Sequence, residues 1–432
     1  MNDVLPEPEA ALSLTRHRPF VAYWCLRVCT SLAFQIVAVA VGWQVYAVTG
    51  STLALGLVGL AQFLPMLVLT LPAGHIADQI DRRRIMRLCQ CFEALAGLLL
   101  LVTAVTGVSP PWLIYVAVVM VGAARSFEQP ATVSLLPAVV PRAKLQQATA
   151  LTSSAGQTAS ILGPALGGVL YALSPVAAFA AIVVLFLLAI VCTTLIRVEH
   201  APARREPLTL NNLFAGLSFI GTRPILLGTI TLDLVAVLLG GAVALMPVFA
   251  SEILHTGPWG LGLLRASPAV GALAMSLVIA RFPMRHRVGR KMFLAVGCFG
   301  AATVLFGLSR SLPLSVLALV LLGAADVVSV VIRSALVQFA TPDHMRGRVN
   351  AMNWLFVGAS NQLGEFESGV TASLLGTVPA VVVGGIGSIV VTLLWMRLFP
   401  AMRDVDSLEA LTPENQPQGQ SQPPAPVAAA PR

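Results

Sequence analysis

G-A-A-R-S-F-E-Q-P from Gly122, L-L-P-A-V-V-P-R from Leu135 and L-G-P-A-L-G-G from Leu162 form the stretch that decides the fold, because the chain writes it twice. The second copy reads G-A-A-D-V-V-S from Gly323, A-T-P-D-H-M-R-G-R-V-N-A from Ala340 and L-G-E-F-E-S-G from Leu363. Arg125 and Asp326 stand 201 residues apart, and the same interval pairs Pro141 with Pro342, Gly163 with Gly364 and Gly168 with Gly369 without a gap. A period of that length is too long for a solenoid unit. It predicts two similar halves joined near residue 200.

Composition gives the halves their medium. Hydrophobic residues make up 57% of the chain, charged residues only 11%, and the mean hydropathy is +0.84. A soluble domain is also about half apolar but carries roughly a quarter charged residues, so the missing charge is the informative figure. Apolar runs long enough to cross a bilayer as helices recur along the whole chain. The short alternating strands of a membrane β-barrel are absent from the sequence. The expected fold is therefore an all-α integral membrane protein. The N-terminus lacks the pattern of a cleavable signal, because Arg16-His17-Arg18 leads directly into the first apolar run with no small-residue cleavage site. The six cysteines all fall in or beside apolar runs, which argues against a disulfide framework.

Twelve spans are expected, near 20–48, 53–78, 85–107, 112–138, 144–172, 175–197, 224–250, 258–283, 289–309, 312–340, 347–376 and 378–399. The corresponding organisation is a segment 1–19, a six-helix half 20–197, a linker 198–222, a second six-helix half 223–399 and a disordered tail 400–432. The linker is expected to end in an amphipathic surface helix. Lysine and arginine crowd one side of this arrangement, as at Arg82 to Arg84, Arg142, Arg205, Arg287 and Arg346, whereas the other side has only Arg310. That bias predicts both termini in the cytoplasm. The net charge of +8 reflects this sidedness, and no basic stretch interleaved with aromatics suggests nucleic acid.

The segment G-H-I-A-D-Q-I-D-R-R-R from Gly74 joins the second and third spans. A basic loop is ordinary positive-inside topology, but a carboxylate such as Asp78 at a helix C-terminus opposes the macrodipole unless it finds a partner. The segment resembles the G-x-x-x-D-R-x-G-R-R loop motif of the major facilitator superfamily at Gly74, Asp78, Arg82 and Arg83 or Arg84. Gln79 replaces its usual arginine and Asp81 its usual glycine. The resemblance implies that Asp78 and the arginines latch the cytoplasmic ends of the two halves. The run Gly163-Pro164-Ala165-Leu166-Gly167-Gly168 sets a small-residue stripe on one face of the fifth span, where helices can approach closely, and Pro164 is expected to bend it. It is similar to the antiporter motif of exporters in that superfamily. The wider run from Gly122 resembles the enterobactin-exporter branch of its drug and siderophore efflux permeases, and the likeness covers nearly all of 15–400. The implied fold is two pseudo-symmetric six-helix halves.

A charge at the centre of a membrane helix costs about 3 kcal/mol on insertion scales, so each one needs a partner or a role. Arg125 and Glu128 fall near mid-depth and, three residues apart, can pair on one helix face. Asp233, Asp326, Glu365 and Glu367 also fall near mid-depth, while Arg27 and Arg333 lie nearer the cytoplasm. The resemblance implies that the first, fourth, seventh and tenth spans line a central cavity. Arg27, Arg125, Asp233, Asp326 and Arg333 would then handle substrate and protons, with Glu128, Glu365 and Glu367 as further candidates for the same cavity. Glu93 and Arg265 read as packing or lipid-edge residues.

The expected function is secondary active export of a small amphipathic molecule, siderophore-like or drug-like, across the inner membrane by alternating access in exchange for protons. The alternatives are an importer or facilitator of the same fold, or a membrane-embedded enzyme. An enzyme is disfavoured by the lack of H-E-x-x-H and G-x-S-x-G. An ATP-driven pump is disfavoured because neither Lys144 nor Lys291 stands in a G-K-[ST] loop. Expected partners are the substrate and the lipid bilayer, with no nucleic acid, ATP, metal or cofactor, and the chain is expected to act as a monomer.

Overall fold

The computed structural model describes residues 14–196, 210–284 and 286–407, apart from the side chains at 70, 71, 74, 75, 77–79, 210–215, 343 and 344. The tail beyond 407 and the linker before 210 lie outside the described residues, as do the side chains at Gly74 and Asp78. The first half contains α1 (Arg18–Thr49), α2 (Thr52–Gln79), α3 (Arg82–Thr106), α4 (Pro111–Val139), α5 (Leu145–Leu173) and α6 (Pro175–Leu195). Tight turns join them. Ser51 caps α2 by accepting from the Ala54 amide, Asp81 caps α3 through Arg83 and Ser174 caps α6 through Val176. Such caps satisfy amides that a helix end leaves free. Gly50 closes α1 at φ 60°, a left-handed position that favours glycine.

The amphipathic α7 (Leu210–Gly221) then packs on the second half, setting Phe219 and Ile220 against Met345, Val349 and Met352. The helix α8 (Pro224–Leu239) begins that half. Its span was expected to run unbroken to residue 250, but the helix stops at Gly240-Gly241. The chain continues as a 3-10 turn at Ala242–Leu245, a short α9 (Met246–Val248) and a π turn at Phe249–Ile253. Two adjacent glycines cost a helix about 1 kcal/mol each, which accounts for the break. The bundle is completed by α10 (Gly257–Arg281), α11 (Val288–Leu308), α12 (Leu312–Phe339), α13 (Asp343–Leu375), α14 (Thr377–Leu398) and a final turn α15 (Pro400–Arg403).

Among the described residues, ten helical segments are long and apolar enough to cross a membrane, the broken stretch Pro224–Ile253 counting as one. The two repeat-related helices α5 and α13, 29 and 33 residues long, have the length but are too polar to join that set. Their polarity has a structural reason, because both lie between the halves. The halves meet along two seams, α5 against α10 and α2 against α13.

Each seam closes on a pair of glycines. A Cβ on Gly168 would stand 2.8 Å from the Cα of Gly262, and one on Gly369 would stand 2.6 Å from the Cα of Gly56. Neither approach tolerates a side chain without backbone movement, the geometry that small residues allow in membrane helix pairs. Both glycine pairs lie toward the face opposite the one that bears Arg18 and Leu398. The cores interlock on that same side, where Val248 joins the core of the first half and Val39 that of the second.

Candidate functional site

The buried charges form three groups at different depths. The first lies in the second half, nearer the termini-bearing face. Arg333 on α12 donates from Nη1 to Oδ2 of Asp233 on α8, and both side chains are buried. Asp326 lies two turns further along α12, within electrostatic reach of both. It makes no hydrogen bond or ion pair among the described residues. The group therefore carries two carboxylates for one guanidinium. Asp326 and Arg333 do not touch, as their spacing of seven residues predicted.

The second group lies in the first half. Glu128 on α4 and Glu93 on α3 are buried, with 6% and 2% of their surface exposed. Gln90 Nε2 donates to Glu128 Oε1 across 3.5 Å, and Thr193 on α6 donates to Gln90 Oε1 at 2.8 Å. The expected contact between Arg125 and Glu128 is not made. The Arg125 guanidinium instead stacks 3.5 Å from the centroid of the Phe34 ring, where the aromatic face attracts it. Arg27 lies within electrostatic reach of both Arg125 and Glu128. Glu93, expected at a packing or lipid-edge position, is buried beside this group. Helix periodicity gives a residue's depth but leaves the rotation of α3 open, so the sequence could not aim Glu93 inward. The group is balanced, with two carboxylates against two guanidinium groups.

The third group lies nearer the opposite face. Arg265 on α10 and Glu365 on α13 approach each other closely enough to interact electrostatically, without an ion pair. Arg265, likewise expected at a packing or lipid-edge position, is partly buried. Glu367 points elsewhere and accepts from the Thr371 hydroxyl at 2.7 Å. Above this group, the Tyr46 hydroxyl of α1 donates to Glu252 in the π turn, tying the halves together. Glu252 was not among the residues the sequence singled out, since it stands at the end of an apolar run, and the π turn brings it within reach of Tyr46.

The loop arginines with described partners bond within the first half. Arg82 Nη1 donates to the Ser134 carbonyl at 2.9 Å, and Arg83 pairs with Asp81 at 2.8 Å while reaching the Ile196 carbonyl at 3.2 Å. Arg84 is exposed. In the second motif, a Cβ on Gly163 would stand 2.5 Å from Gln35 Cβ, and one on Gly167 would stand 3.1 Å from Ile36 Cα. These two glycines seat α5 on α1, while Gly168 and the Pro164 carbonyl meet Gly262 on α10.

Two helical bundles that enclose buried charges between glycine-lined seams define a multi-pass membrane transporter. The chain belongs to the transmembrane secretion effector family of the major facilitator superfamily, whose family model matches residues 9–422. It is 28% identical over 397 residues to the enterobactin exporter EntS of Citrobacter koseri, covering 90% of this chain and 94% of that one. It is 27% identical, over the same shares, to EntS of Salmonella typhimurium. The fold is similar to a bacterial homologue of the human lysosomal transporter Spinster in an inward-facing, unoccupied conformation. That match has a TM-score of 0.69 at 14% identity, over 92% of this chain and 97% of that one. An inward-facing bacterial homologue of the iron transporter ferroportin matches with a TM-score of 0.69 at 17% identity, over 91% and 100%.

Proposed function

We propose that the protein is a secondary transporter that exports a small amphipathic molecule, siderophore-like or drug-like, across the bacterial inner membrane in exchange for protons. Both termini lie in the cytoplasm on this reading, and the chain works as a monomer without ATP, metal or bound cofactor. The carrying observation is the uneven charge of the Asp233, Asp326 and Arg333 group. Asp233 has the arginine, so Asp326 is the carboxylate left to take up and release a proton. A proton moving through 100 mV supplies about 2.3 kcal/mol, enough to bias a bistable bundle. The balanced group of Arg27, Arg125, Glu93 and Glu128 has no such surplus, and we assign it to the wall of the substrate cavity.

Alternating access follows from the seams. On this reading, the closed glycine pairs would leave a central path open toward the termini-bearing face. Rocking one half against the other would part Gly168 from Gly262 and Gly56 from Gly369 and bring the loop at Gly74, Asp78 and Arg82 to Arg84 against the second half. Export, as distinct from import, is supported by the named activity of the relatives and by the Gly163 to Gly168 motif. The test is accumulation of a panel of dyes, drugs and siderophores in inverted membrane vesicles, with and without an uncoupler. Accumulation that collapses with the uncoupler is the expected result. Accumulation that persists would exclude proton exchange, and efflux from the vesicles would reverse the direction.

A further inference from the structure

We propose that Arg265 and Glu365 form a binding site for a net-neutral, dipolar head group, such as a zwitterion, on the transported molecule. The inference rests on the transport reading above but not on proton exchange. Arg265 lies eight residues from the start of α10, and Glu365 lies ten from the end of α13, so both sit about 12–15 Å beneath the opposite face. At that depth they lie on the side where the glycine seams close, and on the transport reading they would cap the substrate path. The two seams each contribute one residue, since α10 packs on α5 and α13 on α2.

Three observations bear on this couple. Among the described residues, neither side chain makes a hydrogen bond or an ion pair, and Arg265 Nε is buried without any partner. Arg333, Glu128 and Glu367 have partners in Asp233, Gln90 and Thr371, whereas Asp326 shares the lack of one. Both side chains keep part of their surface accessible although helices surround them, so they border internal space. The walls beside them are glycines. The Arg265 Nη2 atom lies 3.7 Å from where a Gly42 Cβ would stand, and the Glu365 Oε2 atom lies 3.1 Å from where a Gly59 Cβ would stand. An unpaired guanidinium at membrane depth is expensive unless something completes its hydrogen bonds.

The charge of the site selects its ligand. One guanidinium and one carboxylate, separated by more than ion-pair distance, sum to zero. A ligand carboxylate alone would leave a net negative site, and an amine alone a net positive one. A group that accepts toward Arg265 and donates toward Glu365 satisfies both and leaves no net charge buried. The planar guanidinium favours a carboxylate at the accepting end.

Equilibrium binding to the purified protein in lipid nanodiscs, without a pH gradient, tests the assignment with three probes that share one aromatic body. They are phenylalanine, phenylpropionate and phenethylamine. The native protein is expected to prefer phenylalanine by about tenfold, the worth of one charged hydrogen bond. Glu365→Gln should shift the preference to phenylpropionate and Arg265→Gln should shift it to phenethylamine. A purely structural role for the couple would not invert charge selectivity in this way. Arg265→Lys, which keeps the charge and loses the fork, serves if Arg265→Gln does not fold, and it should weaken phenylalanine without inverting the order. The assay has no pH gradient, so its outcome does not depend on the proton-exchange reading, and Asp406→Asn, at the exposed turn after α15, should leave the native order unchanged. Equal binding of the three probes, binding of none, or an unchanged order in Glu365→Gln would overturn the proposal.

Discussion

The helices α5 and α13 occupy repeat-related places and share their glycines but not their chemistry. Gly163 seats α5 on α1, and 201 residues later Gly364 seats α13 on the backbone of α8 at Leu238. Gly168 meets α10, and its counterpart Gly369 meets α2. The next position breaks the symmetry, because Pro164 is matched by Glu365. Pro164 is buried in a packed seam, while Glu365 turns a carboxylate toward Arg265. The same contrast separates Arg125 from Asp326, opposite charges at equivalent positions. Symmetry therefore builds the seams, and departures from it place the charges. The first half ends with a balanced group and the second with an unpaired carboxylate.

The largest effect should come from unbalancing the second half further. Arg333→Ala leaves Asp233 buried without its partner, a loss of about 3–5 kcal/mol. Thermal unfolding of the purified protein should show a large drop that Asp233→Asn in the same chain partly restores. An unchanged midpoint would mean that the pair contributes nothing to the bundle.

Next in size is a test of the seams. Gly369→Val places a side chain 2.6 Å from the Cα and 2.7 Å from the amide nitrogen of Gly56, so the α2 and α13 seam cannot close as it does here. Transport should fall by at least about tenfold while the protein still folds, because membrane helices can separate more easily than a core can repack. Gly168→Val should do the same at the other seam. Full transport by both variants would contradict the closing role of the glycines. A smaller effect is expected from Pro164→Ala, which removes a kinking residue but no charge. It should change the transport rate by no more than a few-fold.

Much of this arrangement was legible in the sequence because it depends on residue size and spacing. The repeat exposed the glycines of α5 and α13, and composition placed them in membrane-embedded helices. Helix rotation was not legible. Glu93 and Arg265 could be read only as packing or lipid-edge residues, because an apolar run that must face lipid and neighbours has no single polar stripe to orient it. The pairing of Arg333 with Asp233 joins residues 100 apart on different helices, which no local pattern encodes. The break after Leu239 did have a signal, the Gly240-Gly241 pair, but the apolar run continues through it and read as one span.

The smallest expected effect lies outside the membrane, where the chain after α15 is pinned to the start of α11. The Arg287 amide donates to Asp406 Oδ1 at 3.0 Å, and His286 Nδ1 lies 3.3 Å from Oδ2. The Arg287 amide first, and His286 second, hold the Asp406 carboxyl below its ordinary range. A depressed carboxyl stabilises the fold above its unfolded pKa, about 3.9, and that contribution disappears as pH falls through the lower folded value. The group is fully exposed, so salt should screen the effect. Hydrogen-exchange protection at Val288 and Gly289, whose amides bond the carbonyls of Asp406 and Val405, measured relative to the intrinsic rate at each pH, should be high at neutral pH and fall below about pH 4. Asp406→Asn should remove that pH dependence, and an identical pH profile in the variant would show that another group is responsible.

The central claim is that the second half carries the proton on its unpaired carboxylate. Its most direct test is the proton flux that accompanies substrate flux in proteoliposomes containing a pH-sensitive dye, for the native protein and for Asp326→Asn. The account predicts that substrate moving one way drives protons the other way in the native protein. In Asp326→Asn the coupled proton movement should vanish while the fold and substrate binding survive. Undiminished proton exchange in Asp326→Asn would contradict it.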